Sequence, residues 1–137
     1  MSTVIVNTLT GTTTAGSIAV TGEGNSTTTN LQQGLAKVWC FATEAAVLTD
    51  SFNMTSGLDN GTGDYSFTIA NNMNNATYAI LNAVYVDSGT YPVTNQNVAG
   101  DATTTTLYRV HHAWVDTGNS FEDLDRKNYH AVFGDLA

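Results

Sequence analysis

One proline, one cysteine and four basic side chains in 137 residues leave this chain with little that stiffens it, crosslinks it or attracts anions. With Cys40 alone, no intramolecular disulfide can form, and within Val38-Trp39-Cys40-Phe41 the thiol is expected to act as a small buried apolar group rather than as a nucleophile. Lys37, Arg109, Arg126 and Lys127 stand against twelve acidic residues, a net charge of -8. A nucleic-acid binder needs clustered Lys and Arg to displace counterions, so nucleic acid is excluded as a partner, and the acidic excess reads as a solubilising surface. No apolar run is long enough to cross a bilayer, and Met1-Ser2-Thr3-Val4 lacks the basic and apolar blocks of a secretory signal. Synthesis in a cytosol without membrane insertion is the expectation.

Chemistry-bearing patterns are scarce too. There is no Gly-x-Ser-x-Gly, no phosphate loop and no Cys/His nucleophile arrangement. His111 and His112 are adjacent, so on a strand they point to opposite faces and cannot share a metal from one side, while His130 belongs to another strand. A histidine site would have to form on the axis of a trimer, and half-burial between Arg109 and Trp114 is the simpler expectation for His111 or His112. The loop 59–64 offers oxygens and glycines but not the spacing or closing Glu of a calcium hand, which favours a turn. Glu122, Asp123 and Asp125 invite comparison with a glycosidase carboxylate pair, yet their closeness and the neighbouring Arg126-Lys127 suggest a solvated, self-compensated face. The expectation is a protein that is not an enzyme and holds no cofactor or metal.

What the chain does have is β pattern. Apolar residues recur at intervals of two after Leu35, and strands are expected at 36–41, 51–55, 65–69, 78–86, 107–115 and 129–133. In Tyr65-Ser66-Phe67-Thr68-Ile69 the large apolar groups face one side and the hydroxyls the other, the mark of a half-buried antiparallel strand. Asn60-Gly61 predicts a hairpin reversal. Residues 78–86 are apolar on nearly both faces, which points to a central strand or one facing another subunit. Turns are expected at 59–64, 71–75, 87–89 and 94–101, and a short helix capped by Ser120, or a polar loop, at 120–126. The fold class is all-β, an antiparallel β-sandwich or jelly-roll-like domain over 34–137. Trp39, Phe52, Tyr65, Phe67, Trp114 and Phe133 are its expected core aromatics, and Tyr91, beside Pro92, is the candidate exposed recognition residue.

Residues 1–33 are expected to form an extended N-terminal arm for anchoring or oligomerisation; the first 22 carry no charge and are rich in Thr, Val and Ile. Uncharged β-prone segments pair with what they meet, so Val4, Ile5, Val6, Ile18 and Val20 are candidate anchors onto a partner; fully extended, this stretch reaches roughly 70 Å. The threonine runs at 12–14 and 27–29 are also compatible with a disordered tail.

The succession of Ala36-Lys37 and Trp39, Asp50-Ser51-Phe52-Asn53, Asp59-Asn60-Gly61-Thr62-Gly63-Asp64-Tyr65 and a polar corner before Tyr78 resembles a domain that recurs on the surfaces of tailed bacteriophages, above all in tail fibres. The similarity covers about residues 34–86 and returns at Val132-Phe133-Gly134-Asp135-Leu136-Ala137, whereas Ala42-Thr43-Glu44-Ala45-Ala46 departs from the Gly/Asn-rich turn of the family. The resemblance implies a virion surface location. With brevity and the arm, it leads to two expectations: a homotrimeric head-decoration (cement) protein bound to the major capsid protein, or a short tail fibre or fibre tip. The second would contact a host surface glycan or protein through loops such as 89–100.

Overall fold

The computed structural model describes residues 3–12, 18–21, 28–85, 103–115, 118 and 120–137, and the main chain of 93–97. The chain divides into two compact units, Met1–Leu35 and Ala36–Ala137. In the first, β1 (Ala19–Thr21) pairs antiparallel with β2 (Thr28–Asn30), and a single helical turn, α1 (Leu31–Gly34), follows. Asn30 caps that turn because its side-chain oxygen accepts from the main-chain N–H groups of Gln32 (2.8 Å) and Gln33 (3.3 Å), which no preceding carbonyl can reach.

The second unit is an all-β sandwich. One sheet runs β4 (Leu48–Phe52), β3 (Val38–Ala42), β11 (Lys127–Phe133), β7 (Ala79–Tyr85), with every pair antiparallel. The other places β5 (Met54–Gly61) beside β6 (Asp64–Ile69) and β6 beside β9 (Leu107–Val115). Along β9, β6 takes 107–111 and β10 (Phe121–Asp123) takes 113–115 of the same edge, while β8 (Val93–Asn97) takes 110–114 of the opposite edge. Tyr65, Phe67, Ile69, Tyr108 and Val110 of this sheet meet Val38, Cys40, Ala42 and Val132 of the other in a fully buried core. The bulky rings come from one sheet and mostly small groups from the other, which is how two sheets about 10 Å apart fill the space between them.

The hairpin expected at Asn60-Gly61 is present between β5 and β6, displaced by two residues. Thr62 and Gly63 form the turn, Gly61 (φ 141°) and Gly63 (φ 71°) take the positive φ angles, and the register slips between Asp59 and Gly61. Gly63 also lies against the main chain of its neighbours: a Cβ there would sit 2.3 Å from the His112 carbonyl oxygen.

Four expectations are corrected. The strand predicted at 51–55 is broken at Asn53, whose φ of 59° turns the chain from β4 in one sheet to β5 in the other. The segment 120–126 holds the short strand β10 and no helix, because Phe121–Asp123 completes the edge of β9 that β6 leaves free. Part of the turn region 94–101 is strand β8. Finally, β7 is the last strand of its sheet among the described residues, so the central position, one of the two expectations for 78–86, is not found within that set.

Asn53 earns its left-handed backbone by stapling the corner. Its Nδ2 donates to the carbonyls of Lys37 (3.0 Å) and Asn71 (3.2 Å), and its Oδ1 accepts from Asn71 N (2.7 Å) and Nδ2 (2.8 Å). Asn53→Ala forfeits these bonds and puts a side chain with no local partner at positive φ, so urea denaturation should show a loss of about 3 kcal/mol. Asn53→Gly, relieved of the strain but not of the lost bonds, should fall between the two.

Candidate functional site

The outer face of the β4-β3-β11-β7 sheet carries the feature that core packing does not explain. Side chains alternate along a strand, so with Val38, Cys40 and Ala42 turned inward, Trp39 and Phe41 turn out. Register then builds rows across the sheet: Phe52, Trp39, Ala131, Leu81 in one, and Asp50, Phe41, Tyr129, Ala83 in the next, with Lys127 beside Tyr85 beyond. Trp39 is 41% exposed and Phe52 52%, which corrects their assignment to the core; Leu81, Tyr85 and Tyr129 are exposed as well. Tyr65 and Phe67 are buried as expected, while Trp114 and Phe133 are only partly so.

Phe41 and Tyr129 stack with centroids 4.6 Å apart and planes 12° apart. Because they are paired across neighbouring strands, the two rings must stand upright side by side. One face of Tyr129 is thus covered by Phe41, and the other looks toward β7. There a shallow trough of about 410 Å³ is lined by Leu81, Ala83, Tyr129 and Ala131 together with Asn82 and His130, which alternate inward and therefore contribute mainly main chain. Tyr85 meets Tyr129 edge-on at 6.5 Å, and the Lys127 ammonium lies 5.4 Å above the Tyr85 ring.

Beneath this face the interior is polar at one end. His130 Nδ1 is 2.8 Å from the Tyr108 hydroxyl, the His130 ring meets Phe67 edge-on at 4.5 Å, and Asn82 Nδ2 donates to His112 Nε2 at 3.1 Å. His112 Nδ1 and His130 Nε2 are buried without a protein partner. Burial pushes His112 down from 6.5 to about 4, with nearby His111 adding to the fall and Asp125 opposing it; burial and then His112 push His130 down to about 3. Both rings are neutral at pH 7. His112 is fully buried rather than half-buried, and His111, on the other face, lies 3.3 Å from Asp123. Burial raises the Cys40 thiol to about 11, so it is a packing group rather than a thiolate. It also raises the Tyr78 hydroxyl to about 12; that hydroxyl donates to the Thr104 and Leu107 carbonyls.

The acidic residues near the β5–β6 turn are mostly structural. Arg109 pairs with both carboxylate oxygens of Asp64, and this hydrogen-bonded guanidinium holds the Asp64 carboxyl below its usual range. Asp125, read from sequence as solvated, instead accepts from Gly63 N (2.7 Å) and the Tyr65 hydroxyl (3.0 Å) and fastens the turn to the β10–β11 connection. Among the described residues no group of three or more His, Cys, Asp or Glu is placed to hold a metal ion, and no helix is long and apolar enough to cross a membrane.

Of the arm residues, Val4 (83%), Ile5 (90%) and Val6 are exposed, Val20 projects from β1 half-exposed, and Ile18 is partly buried with its carbonyl accepting from Leu31 N at 2.8 Å. Val20 also lines a hollow of about 240 Å³ with Thr29, Asn30, Leu31, Gly34 and Leu35. Tyr91 lies outside the described residues, as does most of the loop around it. Sequence reasoning did not find the trough, although its signal was present in the apolar character of both faces of 78–86. Comparison with protein families, curated proteins and solved structures finds no match to this chain.

Proposed function

We propose that the chain is a non-enzymatic structural protein of a tailed-bacteriophage particle, made in the bacterial cytoplasm and displayed on the virion surface as a homotrimeric head-decoration (cement) protein that stabilises the capsid. The observation that carries this reading is the amount of apolar surface left open on a small acidic body: the uncharged arm with Val4 and Ile5 bare, and the sheet face bearing Trp39, Phe52, Leu81 and Tyr85. Large contiguous apolar patches on a soluble chain mark contact surfaces. The arm supplies the anchor, onto the major capsid protein or onto sister chains. The resemblance over about 34–86 and at 132–137 supplies the kind of particle.

Copy number tests the reading. In purified particles a decoration protein approaches the abundance of the major shell protein, whereas a fibre protein is present in a few dozen copies or fewer. Deleting residues 1–22 should abolish incorporation while the sandwich still folds, as seen by circular dichroism; unchanged incorporation would reject the anchoring role.

A second reading, a short tail fibre or fibre tip that contacts a host surface receptor, is favoured by the shallow apolar trough beside Tyr129 on the outward face of the sheet. Particles lacking the protein would then keep their stability and lose adsorption.

A further inference from the structure

We infer that Asn60 is a site of self-modification: its carboxamide is converted to a carboxylate through a cyclic imide with the Gly61 nitrogen, and the product weakens the tip of the β5–β6 hairpin. The chemistry lies within one chain and needs no partner. Of all the asparagines in the sequence, Asn60 alone precedes a glycine. Glycine carries no side chain to crowd the nitrogen that must close the ring, and both residues are exposed to water. In a regular strand the ladder would hold this peptide fixed, but the register slips between Asp59 and Gly61, so Asn60 faces no partner residue on β6. The Gly61 N–H donates to Asp59 Oδ1 at 2.9 Å, which sets a carboxylate where it can take the amide proton. Nor can the turn dispense with the glycine, because Gly61 holds a φ of 141°.

The atoms balance with water as the only added reactant. Gly61 N gives its proton to the Asp59 carboxylate and attacks Asn60 Cγ. The new N–Cγ bond closes a five-membered imide, the Cγ–Nδ2 bond breaks, and Nδ2 leaves as ammonia with the proton that Gly61 gave up. Water then opens the ring at either carbonyl. Attack at Cγ breaks the new bond and leaves an aspartate. Attack at the Asn60 main-chain carbonyl breaks the original peptide bond and leaves an isoaspartate, whose backbone runs through the former side chain. Both products cost the hairpin the same contact. Asn60 Nδ2 donates to Ser66 Oγ at 2.8 Å and reaches Asp64 Oδ1 at 3.5 Å. An oxygen in its place accepts rather than donates, and it sets a negative charge beside Asp59 and Asp64, the latter being the partner of Arg109.

The test incubates the freshly purified full chain in mildly alkaline buffer made with heavy-oxygen water, samples it over time, and maps its peptides by mass spectrometry with fragmentation that separates aspartate from isoaspartate. Heavy oxygen should enter at position 60 before any other asparagine, and in both products. Asp59→Ala should slow the conversion at least threefold, and Asn60→Gln, whose ring would be six-membered, should block it at that position. Both variants should keep the circular dichroism spectrum of the parent. Asn60→Asp should have a lower urea midpoint than Asn60→Ala, since it adds charge to the loss of the Ser66 bond. Position 60 staying intact in the folded chain over the time in which the guanidinium-unfolded chain converts there would overturn the proposal, because the fold would then protect the pair. So would heavy oxygen appearing first at another asparagine, a rate unchanged in Asp59→Ala, or equal midpoints for Asn60→Asp and Asn60→Ala.

Discussion

Between pH 7 and about pH 4 the sandwich should lose stability steeply and unfold, seen as a fall in urea midpoint with acidification. His112 and His130 are neutral in the fold, with folded values lowered to about 4 and about 3, whereas in the unfolded chain both titrate near 6.5. Throughout that window the unfolded chain binds more protons, so stability is complete above about 6.5 and drains as pH falls toward the folded values. Each imidazole removes up to about 1.4 kcal/mol per pH unit, so by about pH 4.5 a few kcal/mol are gone, a large part of a small domain's 5–15 kcal/mol. The groups facing the rings do little to oppose this. Tyr108, Phe67 and Asn82 are neutral, His111 adds like charge, and only Asp125 favours a proton on His112. A charged His130 would bury an extra N–H bond on a ring whose Nε2 already has no protein partner. Asp64, held low by Arg109, adds a smaller loss of the same sign once the pH passes below the ordinary carboxylate range. The slope of unfolding free energy against pH between 6 and 5 should correspond to nearly two protons in the parent and nearly one in His130→Gln. A flat profile over that range would show that the rings are not held neutral.

Much of the fold was legible because alternation is a local property. The strand 107–115 was placed at its observed ends, Tyr65-Ser66-Phe67-Thr68-Ile69 buries the three residues its alternation turned inward, and the hairpin lies within two residues of Asn60-Gly61. Alternation does not say which face is covered. In β3 both faces are apolar, and the choice of Val38, Cys40 and Ala42 for the interior follows from the opposite sheet, where Tyr65, Phe67 and Tyr108 leave room only for small groups. That is why Trp39 stands outside. The place of β7 beside β11 depends in the same way on long-range pairing, and the Asn53 corner depends on carbonyls 16 and 18 residues away. The candidate site was hidden by the same limit: Tyr129, Leu81 and Ala83 come together only through the β11–β7 register.

Gly57→Ala should be among the most damaging single substitutions in the chain, although nothing in the sequence separates Gly57 from its eleven fellow glycines. It lies in β5 opposite Phe67, and a Cβ there would sit 2.1 Å from the Ala46 carbonyl oxygen and 3.1 Å from Phe67 Cε1. The first contact is with backbone, which cannot rotate away. Ala46 belongs to the β3–β4 connection, is buried, and already holds a φ of 55°, so that loop has no relaxed conformation into which to retreat. A methyl group would therefore pry the β3–β4 connection away from β5 and lift Phe67 from the core, a loss of about 3 kcal/mol or more in urea denaturation, with Gly57→Val failing to fold. Gly34→Ala is the control, because a Cβ there meets nothing within 4 Å, and its effect should stay within about 0.5 kcal/mol. Equal effects at the two glycines would mean that Ala46 and Gly57 do not meet, and with them would go the junction that closes one sheet over the other.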